Sequence, residues 1–165
     1  MLRILNASVP DIPLIRTLTM QVWPQTYVPI IGETQVAYML DRFYSEASLL
    51  DQMTLRQHQF IIACEDDVPV AFASYGRIGP DTFKLHKLYV LPQVQGKGVG
   101  RSLADHIVAA IKEAGADWLL LNVNIHNHAA MAFYERTGFV HFRSEDIDIG
   151  DGYFMNDHVL RKPVR

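Results

Sequence analysis

The spacing of apolar residues changes along the chain, and each change marks an element. Residues 2–7 read as a short opening strand. Ser8, Pro10 and Asp11 form a helix start with Ser8 as cap, and Ile12, Ile15, Leu18 and Val22 follow at near-helical spacing. Pro24 is expected to end or bend that helix. A second helix is predicted over residues 33–44, with Val36, Met39, Leu40 and Phe43 on one face, and a shorter third over 48–56. The period then falls to two. Residues 60–64, 68–75 and 83–90 are strand candidates; Asp66 and Asp67 make the first turn, and Gly79, Pro80 and Asp81 the second, which gives an antiparallel meander. Helical spacing returns over 101–114, where Leu103, Ile107, Val108 and Ile111 face inward and Gly115 is the stop. The continuous apolar run at 118–123 suits a buried central strand. A helix over 127–137, closed by Gly138, precedes two last strands at 139–142 and 153–160. The order predicts a mixed α/β sheet in one domain spanning 1–165.

Composition narrows the function classes. A formal net charge of −3 and a pI near 6.1 disfavour a nucleic-acid binder with a broad basic face, so any phosphate recognition must be local. The single cysteine, Cys64, rules out a disulfide framework and reads as a buried strand thiol in a reducing compartment. No apolar run approaches the ~20 residues of a membrane span, and the first residues lack a signal peptide's apolar segment. A soluble cytoplasmic protein with no membrane or nucleic-acid partner is expected.

The chemistry concentrates after the third strand of the meander. Gly96, Gly98 and Gly100 join a strand to a helix, where unpaired N–H groups and the positive helix end favour an anion, a phosphate above all. The plainer alternative is a turn that lets strand and helix pack closely. A P-loop needs Ser or Thr after Gly-Lys, but Gly98 follows Lys97. A dinucleotide fingerprint needs different glycine spacing and an early βαβ unit, and neither is present.

At Gln95, Gly96, Lys97, Gly98, Val99 and Gly100 the chain resembles the GCN5-related N-acetyltransferases (GNAT), whose acetyl-CoA motif has Gln or Arg, two residues, Gly, one residue, then Gly or Ala. A second family pattern fits Asn127, Ala130, Tyr134, Gly138 and Phe139. The element order agrees from end to end. Within the family, Trp23 to Tyr27, Gln59 with Phe60, and the stretch from Asp151 to Asp157 look most like the bacterial diamine and polyamine branch.

The resemblance implies a GNAT fold, about seven mostly antiparallel strands flanked by helices, and acetyl transfer from acetyl-CoA directly to a primary amine, without a metal. The amine would be a small amine or polyamine. A protein N-terminus or lysine, or a silent CoA-binding module, are the alternatives. It further implies that the backbone from Gln95 through Arg101 holds the pyrophosphate, that Leu88, Tyr89 and Val90 pair with the pantetheine amides, and that the Val90 N–H polarises the thioester carbonyl. Tyr134 would hydrogen-bond to the departing thiolate or protonate it, against the alternative of an aromatic packed with Met131 and Phe133, and Asn127 would touch CoA while capping its helix. A homodimer is a family expectation.

The acceptor side is less legible. Many family members carry a carboxylate on the strand before the glycine loop, whereas this chain has Lys84, His86 and Lys87. His86 is the best candidate base, against the alternative of a plain surface-strand histidine. Trp23, Tyr27 and Tyr153 are candidate walls of the amine pocket or simply aromatic core. His126 and His128 offer only two imidazoles, too few for zinc. Glu145, Asp146, Asp148, Asp151 and Asp157 crowd the last hairpin, as a solvated acidic loop or an attraction for a cation.

Overall fold

The computed structural model describes residues 1–165. Alternating apolar residues form strands β1 (Leu2–Ala7), β2 (Gln59–Glu65), β3 (Val68–Arg77), β4 (Thr82–Val90), β5 (Trp118–Asn124), β6 (Val140–Gly150) and β7 (Tyr153–Pro163). Helices α1 (Ile12–Tyr44), α2 (Glu46–Thr54), α3 (Val99–Glu113) and α4 (His128–Arg136) flank them. One sheet results, in the order β1-β2-β3-β4-β5-β7-β6, and every neighbouring pair is antiparallel except β4 and β5. The meander closes as expected: Asp66 and Asp67 adopt φ of 49° and 68°, the mirror-image turn whose twist matches the strands.

The sheet separates two apolar layers. Ile15, Leu18, Val22 and Trp23 of α1 pack with Leu49 of α2 on Phe60, Ile62 and Phe72. On the opposite face Leu103, Ile107 and Ile111 of α3 meet Ala71, Ala73, Leu119 and Leu121. No helix is long and apolar enough to cross a membrane.

Three elements differ from the sequence reading. The first helix neither stops nor leaves a gap at Pro24; it runs past Pro24 and Pro29 and breaks at Gly32, where φ is 83° and ψ 162°. Val22 and Trp23, both nearly inaccessible, anchor the turn around Pro24, so packing outweighs the lost backbone bond. The last two strands are longer than predicted, with 11 residues each. Glu145, Asp146 and Asp148 therefore lie in β6 and not in a loop, because an edge strand can direct charges outward. Strand β5 is central, but only Leu119, Leu121 and Val123 are buried; on its other face Asn122 and Asn124 line a cavity.

Two irregularities in β4 position everything that follows. Its parallel pairing with β5 runs only from Thr82 and Trp118 to Leu85 and Leu121, after which the strands part. Opposite β3, Lys87 pairs with Ser74 and Leu85 with Tyr75, which leaves His86 as the extra residue of a β-bulge. Strict alternation would put Lys87 on the face of Leu85; the bulge turns it to the face of Lys84 and Tyr89.

Candidate active site

Local backbone chemistry explains the glycine loop. Gly96 and Gly98 have φ of 80° and 85°, and a Cβ on either would meet nothing within 4 Å, so the left-handed backbone is what demands glycine there. Gly100 is different: an added Cβ would come 3.3 Å from Phe133 Cζ and 3.6 Å from Val90 Cγ2, so it serves close packing of α3 on α4. Ser102 N–H is the first in α3 to reach a loop carbonyl, that of Gly98. The amides of residues 96–101 make no backbone bond, and Gly96, Gly98, Val99, Gly100 and Arg101 line a cavity. Gln95 Nε2 donates to Val90 O at 3.0 Å and ties the loop to the end of β4.

The parting of β4 from β5 supplies a second row of free groups. Leu91 N–H bonds Val70 O, and alternation along the β3 ladder then directs the Leu88 and Val90 N–H groups into the gap. A cavity of about 570 Å³ occupies it, lined by Leu88, Val90, the glycine loop, Asn127 and Tyr134. Lys97 does not line it with its side chain, and Arg101, which does, lies 4.0 Å from Asp105. Asn127 caps α4, accepting from Ala130 N–H at 3.3 Å. The Tyr134 ring stands edge-on to Phe133 and Phe139, with centroids 5.2 and 5.5 Å away, and burial holds its phenol well above the usual range. Two rows of unpaired amides beside a buried phenol fit the pyrophosphate and amide groups of CoA.

A second cavity of about 260 Å³ lies on the α1 side, and Tyr27, His86, Lys87, Tyr89 and Asn122 line both cavities. Trp23 and Tyr27 form part of its wall, with ring centroids 4.4 Å apart. Tyr153 does not reach it: its ring packs on Tyr38 at 4.9 Å, and Phe154 and Met155 line the cavity in its place. His126 and His128 sit with rings 6.5 Å apart at the start of α4.

His86 stacks on His58 with centroids 3.8 Å apart and planes within 12°. Burial, then His58 and the nearby cations, pulls His86 down to about 3; burial, then Lys87, pulls His58 to about 4. Both rings are neutral in the folded state, so His86 is a poor proton acceptor near neutral pH. The unfolded chain protonates near the ordinary 6.5, so from there down to about 4 it binds more protons than the native state. Stability should therefore fall with pH across that window. Thermal melts of a His58→Gln, His86→Gln double variant should show a shallower decline than the wild type.

Two groups that line the second cavity were named in the sequence without being singled out, Asp157 among the acids of the last hairpin and Lys87 beside His86. Asp157 is buried, and Asn122 Nδ2 donates to its Oδ2 at 3.2 Å and to Glu145 Oε1 at 3.1 Å. Burial raises the Asp157 carboxyl above its ordinary value, against the pull of Asn122 and Lys84. A carboxylate thus reaches this cavity from β7, across β5. Lys87 Nζ donates to Gln52 Oε1 at 2.7 Å, and burial, aided by Arg56 and Lys84, pulls its ammonium down to about 7.

A match to the acetyltransferase (GNAT) family covers residues 21–139. The chain belongs to this family. An uncharacterised N-acetyltransferase of Mycobacterium tuberculosis is 28% identical over 138 residues, which cover 84% of this chain and 88% of the relative. Spermidine N(1)-acetyltransferase of Thermoplasma acidophilum is 25% identical over 154 residues, covering 91% and 93%. The crystal structure of the PaiA N-acetyltransferase from T. acidophilum, in complex with coenzyme A, has a TM-score of 0.83 at 23% identity, covering 99% of each chain, and shares the fold. As a GNAT protein the chain is an acyltransferase that uses acetyl-CoA.

Proposed function

We propose that the protein transfers an acetyl group from acetyl-CoA to the primary amine of a small acceptor, working as one domain over 1–165. The observation that carries this reading is the meeting of two cavities at the open edge of β4, one with Tyr134 in its wall and the other with Asp157. The relative named for spermidine supports a small amine. The single buried thiol of Cys64 supports a reducing, cytoplasmic setting.

Bound acetyl-CoA would supply the acetyl thioester as electrophile. Amides of residues 96–101 would hold its pyrophosphate at the start of α3, where the helix dipole favours negative charge. The Leu88 and Val90 N–H groups would orient the pantetheine arm, with Val90 placed for the carbonyl oxygen on which charge develops. Asp157 would take one proton from the acceptor ammonium and free the nitrogen lone pair, then pass that proton to solvent. Tyr134 would give its proton to sulfur as the C–S bond breaks and regain one from the nitrogen as the amide forms. In this assignment His86 shapes the cavity junction, and the proton moves through Asp157.

Acetyl-CoA at about 100 times its Kd should raise the melting temperature by roughly 5–10 °C, the shift expected for a ligand bound only by the native state of a chain this size. Gly98→Val, which forces a branched side chain into the left-handed region, should abolish most of that shift. No stabilisation of the wild type by acetyl-CoA would sink the reading.

A further inference from the structure

The acceptor cavity carries charges of both signs. Asp157, held by Asn122, is the one carboxylate that lines it, and Arg56, Lys84 and Lys87 line it as well. These cations are not equivalent. Arg56 is paired with Asp51 at 3.0 Å, and Lys84 lies in the field of Glu145 and Asp157. Lys87 has no carboxylate within ion-pair distance, although the bulge at His86 turns it, half-buried, to the junction of the two cavities.

The surroundings of Lys87 hold its head in place. Gln52, itself buried, donates from Nε2 to Phe43 O at 2.9 Å and to Ser48 Oγ at 3.0 Å, which leaves its Oε1 to accept from Lys87 Nζ. The Tyr44 ring lies 5.0 Å from Nζ. An ammonium has three donors, and this one uses a single donor on the protein. Holding an ammonium partly out of water without a counter-ion favours loss of its proton, and a ligand anion is the partner that would keep it charged.

We propose that the acceptor carries, besides its amine, a compact anion that docks on Lys87, and that this anion is a carboxylate, so that the substrate is an amino acid with its ammonium at Asp157. The proposal rests on the acetyl-transfer reading above. A polyamine fits this wall poorly, because its further ammonium groups would meet Lys84, Lys87 and Arg56 in a confined space. A phosphate would present the same compact charge to Lys87, so the assays must separate the two anions.

The test is thiol release from acetyl-CoA by the full chain with matched acceptors. Phenylalanine is compared with phenethylamine, and methionine with 3-(methylthio)propylamine; O-phosphoethanolamine and spermidine complete the panel. We expect kcat/KM at least tenfold higher for an amino acid than for the amine lacking its carboxylate. In Lys87→Met, an unbranched substitution of similar length, that ratio should fall to near one, through KM more than kcat. A purely structural role for Lys87 would lower both acceptors together and leave the ratio unchanged, which would overturn the proposal. Spermidine or the decarboxylated amines used as well as the amino acids would also overturn it. Preference for O-phosphoethanolamine over every amino acid would overturn the carboxylate assignment. No thiol release with any amine, despite stabilisation by acetyl-CoA, would overturn acetyl transfer and this proposal with it.

Discussion

Tyr134→Phe is expected to lower kcat about a hundred-fold while changing KM for acetyl-CoA less than about threefold. A positioned proton donor typically contributes 10²–10⁴ in rate, and removing it affects the step in which the thiolate leaves and not the binding of the thioester. The phenylalanine ring would keep the edge-on contacts with Phe133 and Phe139, so the melting temperature should hardly move. The pH dependence adds a second check. Burial, with Tyr27 adding to it, holds the Tyr134 phenol protonated above its ordinary 10, so wild-type kcat should show no alkaline fall below about pH 10. A hydroxyl that only packed would leave kcat within a few-fold in the variant.

Asp157→Asn should cost about a hundred-fold in kcat/KM for the amine. At pH 7 an acceptor with a lysine-like pKa of about 10.4 needs about 4.6 kcal/mol to become neutral, and the group that takes its proton lowers that barrier. Because the Asp157 carboxyl titrates above its ordinary value, wild-type kcat/KM should fall as pH drops through that raised pKa. The acidic limb should vanish in Asp157→Asn and persist in His86→Ala. Folding is not at risk. A carboxyl raised by burial binds its proton more tightly in the native state than in the unfolded chain, so its ionisation destabilises the fold as pH rises. A neutral amide of the same shape should therefore melt no lower than the wild type at pH 7. An unchanged pH profile in Asp157→Asn would remove the residue from proton transfer.

The half of the site assigned here to acetyl-CoA was legible because its signals are local. Positive φ at Gly96 and Gly98, the Asn127 cap and the spacing from Asn127 to Tyr134 all follow from residues within about two helical turns of each other. The acceptor half is assembled across the sheet. Asp157 reaches it from β7 through Asn122 on β5, and in sequence it looks like one more acid in a hairpin. Its legible signal was parity: Met155, Asp157 and Val159 share a face of β7, and a carboxylate at such an inward position is unusual. Lys87 was hidden by the bulge at His86, since alternation places it on the wrong face and no local residue pattern announces the extra residue. The run of α1 past Pro24 escaped for a similar reason. Trp23 and Val22 are fixed by β-strand partners far away in sequence, and that packing outweighs the local rule that proline ends a helix.

Acetyl transfer to a primary amine is tested most directly by following thiol release from acetyl-CoA with the purified wild-type chain, with and without amines. The expected result is release that depends on the amine, saturates with it, and yields the N-acetylated acceptor in equal amount by mass spectrometry. Release that is absent or indifferent to every amine, from a protein that acetyl-CoA nevertheless stabilises, would contradict it.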